Sequence, residues 1–160
     1  AELAAKLAPE SGAAHRALAV ALRRGEKADP QRRQDEVLIA LDLDPKDADA
    51  WYEYWRVRGY DPDDETIRRA LELEPRHLGA HIDLGAALVE EGRLDEAAER
   101  LMEALRLNPR NALAAYDLAM VFNRQGHAER ALELLRKARK LHPDERLLAA
   151  GMAAVEVRDG

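Results

Sequence analysis

The sequence predicts an all-α fold, an α-solenoid of about four helical hairpins with one more helix at the C-terminal end. Three observations carry this expectation. The apolar residues are mostly Ala and Leu, strong helix formers, while Val, Ile and Thr are sparse. Prolines recur at Pro9, Pro45, Pro75, Pro109 and Pro143, at spacings of 36, 30, 34 and 34 residues. Glycines interleave with them at Gly25, Gly59, Gly92 and Gly126, spaced 34, 33 and 34. Each Pro stands where a helix must stop and each Gly where the chain must turn, so two marks per period mean two helices per period.

The elements follow in order. Residues 2–8 read as the tail of an incoming helix. The first hairpin, 12–47, opens at Ser11, a helix N-cap, and carries His15, Leu18, Ala19 and Leu22, then Val37 and Ala40. Gly25 lies 20 residues before Pro45 against 17 in the regular copies, so the turn around Glu26–Gln31 is enlarged. The second hairpin, 48–77, carries Trp51, Tyr54, Trp55 and Arg58, then Ile67 and Ala70. Gly59 comes only 14 residues after Pro45, so the first helix of this pair has lost nearly a turn. Asp29-Pro30 and Asp61-Pro62 each read as an N-cap followed by Pro at the first helical position.

The best copies are 78–111, LGAHIDLGAALVEEGRLDEAAERLMEALRLNPRN, and 112–145, ALAAYDLAMVFNRQGHAERALELLRKARKLHPDE. Residues 146–158, with Leu147, Leu148, Met152 and Val155 apolar, form a last helix. It is either a cap or the opening half of a further repeat, since Arg146, Glu156 and Arg158 make its outer face only partly polar. The whole of 1–160 is expected to be a single domain, because one hairpin cannot bury its apolar face alone and stacked neighbours complete the core.

The copies carry a pattern. In the third repeat it is His81, Leu84, Gly85, Leu88, Ala97, Leu101, Ala104 and Pro109. In the fourth it is Ala115, Leu118, Ala119, Phe122, Ala131, Leu135, Ala138 and Pro143. The register holds without a gap over 68 residues. Here the chain resembles the tetratricopeptide-repeat family, strongly in its last half and moderately before it, and the resemblance implies a right-handed α-solenoid. Small residues at Gly85, Ala97, Ala104, Ala119, Ala131 and Ala138 let helix backbones approach closely, and the larger residues fill the gaps around them.

Composition narrows the function. The formal charge is −6 with both signs interleaved. That argues against general nucleic-acid binding, which needs a net basic footprint. Arg23, Arg24, Arg32 and Arg33 are the one candidate basic patch, read more simply as a solvated helix-end cluster. No apolar run approaches the roughly 18 residues of a membrane span. Cysteine is absent, and the chain holds one Ser, Ser11, and one Thr, Thr66. Nucleophilic catalysis is therefore close to excluded, no phosphate loop or dinucleotide fingerprint is present, and no enzymatic activity or cofactor is expected. His77 and His81 stand at i and i+4, the spacing of a metal pair. However, His81 holds a packing position and His77 a helix start, so no metal site is expected. The 31 acidic residues are read as solvated faces and i,i+4 pairs, with no isolated pair fit for acid–base work.

The resemblance implies a partner site on the concave side, lined by the first helix of each repeat. Carried over to this sequence, the lining is Gly79, Ile82, Asp83, Ala86, Val89 and Glu90 in the third repeat. In the fourth it is Leu113, Tyr116, Asp117, Met120, Asn123 and Arg124. The short second repeat gives Asp49, Tyr52, Glu53 and Arg56, and the first gives Ala13, Arg16, Ala17, Val20, Arg23 and Arg24. Glu53, Asp83 and Asp117 share one repeat position, an expected acidic row, with Tyr52, Ile82, Tyr116 and Met120 as apolar neighbours. Apolar anchors beside placed charges suit a segment with basic and apolar side chains. The alternative is that the acids merely keep the groove soluble while the apolar groups pack within each repeat. An acidic peptide tail would meet like charge and is disfavoured.

The expected function is a scaffold that binds a protein or peptide. Two other readings stand beside it: the substrate-recruiting region of a larger enzyme, and a structural module that self-associates through its apolar terminal helix. The sequence does not fix a compartment.

Overall fold

A computed structural model of the protein describes residues 1–24 and 29–159. Gly25 and most of the enlarged turn expected around 26–31 lie outside the described residues, as do the side chains of Arg24 and Arg158. Among the described residues there are ten helices and no strand: α1 (Glu2–Leu7), α2 (Gly12–Arg24), α3 (Pro30–Leu43), α4 (Ala48–Arg58), α5 (Glu65–Leu73), α6 (Leu78–Glu90), α7 (Leu94–Leu107), α8 (Ala112–Arg124), α9 (Ala128–Leu141) and α10 (Arg146–Asp159). They fall into two compact units, 1–80 and 81–160.

In the first unit α2 packs on α3 and α4 on α5, while α4 also touches α3 and α2. Short polar side chains start these helices by accepting orphan backbone N–H groups. Ser11 Oγ takes the amide of Ala14 at 3.3 Å, Asp29 that of Arg32 at 3.0 Å and Asp47 that of Ala50 at 3.1 Å. Pro30 follows Asp29 at the first helical position, as the sequence suggests. Ala19, Val37, Ala40, Leu41 and Ala50 form one buried cluster, with Trp51, Tyr54 and Val57 partly buried against it.

The second hairpin departs from the sequence expectation at one point. Asp61-Pro62 does not open a helix; α5 starts at Glu65, capped by Asp64, whose carboxylate accepts the Thr66 amide at 2.8 Å. The physical reason lies just upstream. Helix α4 has 11 residues where α6 and α8 have 13, and it ends in Gly59 and Tyr60, both at positive φ (105° and 66°). Asp61 is then committed to the turn: its carboxylate accepts the Asp63 amide and its carbonyl accepts the Trp55 indole N–H at 2.6 Å. The residues spent on closing this turn leave α5 only nine long.

In the second unit α8 packs against α7, α9 and α10, and α9 against α10. Helix α6 meets α7 where Gly85 faces Leu101 so closely that a Cβ on Gly85 would sit 2.7 Å from Leu101 Cγ. Ala97, Leu101, Ala104, Ala119, Ala131 and Leu135 are buried around these crossings. On α10, Leu148 and Val155 are buried and Gly151 lies against the Tyr116 ring and Leu135. Val157 is left outside, 83% exposed.

Candidate partner-binding groove

The expected groove residues divide between the two units. In the first, Tyr52 is buried, tilted on the His77 ring at 4.6 Å and covered by the Arg56 guanidinium at 5.1 Å. Glu53 is only 5% exposed. Its two oxygens accept from Arg33 at 3.0 Å and Arg56 at 3.3 Å, so its charge is compensated from within the unit. Arg33 reaches it from α3. Nothing in the repeat spacing announces that contact, because the residue comes from the second helix of the preceding pair.

His77, the first of the two histidines at i and i+4, is engaged within the first unit. His77 Nδ1 accepts the Ala80 amide at 3.0 Å, so its proton sits on Nε2, which donates to Asp49 at 2.9 Å. Asp49 and Glu74 each bring a carboxylate oxygen to within 4.8 Å of the His77 nitrogen. A cation there would need Nε2 without its proton. That proton would move to Nδ1 and point at an N–H, breaking the helix cap. Asp49 is held on its other side by Arg16, at 2.6 Å.

The second unit presents an open surface. Tyr116 and Met120 lie one turn apart on α8, as do Ala86 and Glu90 on α6, so each pair shares a helix face. Ala86, Val89, Glu90, Tyr116, Asp117, Met120 and Arg124 line a recess of about 250 Å³. Ile82 is buried, while Asp83 and Asn123 are half-buried and outside the lining. Arg124 donates to the Val89 carbonyl at 3.1 Å. Asp117 is half-buried and has no hydrogen bond or ion pair among the described residues. Burial, then the nearby Asp83 carboxylate, pushes its carboxyl up to about 6 from 3.8.

The raised Asp117 has a stability consequence. Below 3.8 the carboxyl is protonated in folded and unfolded chains alike. Between 3.8 and about 6 the unfolded chain loses the proton first, so folding stability falls as pH rises through this window and then levels off. Undamped, the difference would be about 3 kcal/mol; water reaching this half-exposed group reduces it to about 1 kcal/mol. Asp117→Asn is therefore expected to stabilise the protein by about 1 kcal/mol at pH 7. The gain should vanish below pH 3.8, and denaturant titrations at pH 3.5 and 7 check both values. An equal gain at both would show that the carboxylate charge is not its source.

A second recess, on α7, α8 and α9, is lined by Met102, Leu118, Phe122, Arg130, Glu133, Leu134 and Lys137. Arg130 lies over the Phe122 ring at 4.2 Å. Its lining charges are two cations, Arg130 and Lys137, and one carboxylate, Glu133.

Two tetratricopeptide-repeat family models match the chain, over residues 65–101 and 88–155. The chain is a tetratricopeptide-repeat protein. Solved structures agree with the fold. PilF of Pseudomonas aeruginosa is 26% identical, with a TM-score of 0.80 over 94% of this chain and 70% of that one. MamA of Desulfovibrio magneticus RS-1 is 20% identical, with a TM-score of 0.78 over 92% and 85%. A thermophilic tetratricopeptide-repeat protein of Thermus thermophilus is 23% identical, with a TM-score of 0.72 over 94% and 84%. A comparison with curated protein sequences finds no match. The fold class is thus the all-α solenoid of tetratricopeptide repeats, a scaffold for protein–protein interaction and typically not a catalyst.

Proposed function

We propose that this tetratricopeptide-repeat protein holds a segment of a partner protein on the α6/α8 face, and that the segment carries basic and apolar side chains. One observation supports the reading above the others. Asp117 is a half-buried carboxylate without a hydrogen-bond or ion-pair partner among the described residues, set among Val89, Tyr116 and Met120. Leaving a charge partly desolvated and unpaired costs stability, and a cation brought by another molecule recovers that cost. Asp83 adds to the negative potential there. The electrostatic anchor is then Asp83 with Asp117, while Tyr52, Glu53 and Arg56 act as packed groups of the first unit.

The test is affinity capture from the source lysate by the native chain, by Asp83→Lys/Asp117→Lys, and by a control, Glu99→Lys, on the exposed side of α7. A protein held by the native chain and the control but lost by the double variant would support the proposal. Equal capture by all three would reject this face.

A further inference from the structure

We infer that the recess between α6 and α8 seats one arginine side chain of the partner, with its guanidinium on the Asp117 carboxylate and its stem along Tyr116 and Met120. The inference rests on the proposed partner-binding face and adds the chemistry of the residue it recognises.

Three features select arginine. The recess joins Val89, Tyr116 and Met120 to the half-buried Asp117 carboxylate, which has no hydrogen bond or ion pair among the described residues, with the exposed Glu90 on the same lining, so the occupant must be long, apolar along its stem and cationic at its tip. The carboxylate is half-buried, so the cation must give up part of its hydration. A guanidinium is weakly hydrated and planar and can meet both carboxylate oxygens at once, whereas an ammonium is a strongly hydrated point charge. Tyr116 offers an aromatic group beside the carboxylate, which again favours the guanidinium. The chain's own rim arginine, Arg124, is engaged with the Val89 carbonyl and not with Asp117.

The probes are blocked peptides of alanine and leucine that carry one central arginine, lysine or citrulline, the last being the neutral counterpart of arginine. The protein has three methionines, Met102, Met120 and Met152, and Met120 alone lines this recess. Methyl NMR therefore reads the site at Met120, with the other two as internal controls. The arginine peptide is expected to shift the Met120 methyl, saturably, with Met102 and Met152 unmoved. Its affinity should exceed that of the lysine and citrulline peptides about tenfold. Asp117→Asn, expected to be the more stable protein, should bring the three peptides to the same affinity, and Glu99→Gln, on the exposed side of α7 and outside the recess, should leave the preference in place.

Equal shifts by all three peptides, or an arginine preference that survives Asp117→Asn, would overturn the arginine seat and leave the partner-binding face standing. No shift at Met120 with any peptide would also overturn it. The lysate capture with Asp83→Lys/Asp117→Lys judges the face independently, so the two failures are distinguishable.

Discussion

Trp55→Ala is expected to cost about 3–5 kcal/mol of folding stability, the largest loss of any single substitution considered. Trp55 has no exposed surface. Its indole stacks with Tyr52 at 6.2 Å and meets Tyr60 edge-on at 5.0 Å. Its N–H closes the 59–64 turn on the Asp61 carbonyl. Truncation would empty the largest buried volume of the first unit and strand that carbonyl in the same step. The equivalent position in the other repeats holds Ala19, Gly85 or Ala119, so a small residue is the rule there. The short α4 and the wide turn make room for a large one. Trp51, partly exposed and bonded to the Pro45 carbonyl at 2.9 Å, is the comparison; its loss should cost about 1 kcal/mol. Equal costs in urea denaturation would mean that the deformed repeat does not depend on Trp55.

Gly85→Val is expected to cost about 2–3 kcal/mol through overpacking. The new Cβ would lie 2.7 Å from Leu101 Cγ, and Leu101 has no exposed surface into which it could swing. The two helices must move apart, or Leu101 must leave its rotamer. Making the partner smaller should recover part of the loss, so Gly85→Val/Leu101→Ala is expected to be more stable than the sum of the single changes predicts. Strict additivity in thermal melts would place the cost of valine elsewhere than in this contact.

The regular repeats are legible in the sequence because their helices, caps and close approaches depend on residues at fixed spacing. Pro109, Gly126, Ala97 and Ala131 each do a local job, and α6 to α9 follow from them. The second repeat was legible as deformed but not in its detail. Asp64 and Asp61 offer the same capping chemistry, and the choice between them is made by the Trp55 indole across the turn. Glu53 shows the other kind of gap. Its repeat position groups it with Asp83 and Asp117, yet Arg33 lies 20 residues away in sequence and cancels its charge. On the α6/α8 face the helical period shows which side chains share a side. How deeply Asp117 sits is a result of tertiary packing, which the period does not encode.

The Tyr116 ring belongs to two places at once: one side lines the recess, and its edge lies 3.0 Å from where a Cβ on Gly151 of α10 would be. A molecule in the recess and the docked last helix therefore share a wall. If an occupant of the proposed site fixes that ring more firmly when α10 is docked, occupancy is expected to hold α10 in place, and docking of α10 to strengthen occupancy by the same factor. The C-terminal helix would in this sense report on the proposed site: its amide exchange is expected to slow when the arginine peptide is bound, at a distance from any atom the peptide touches.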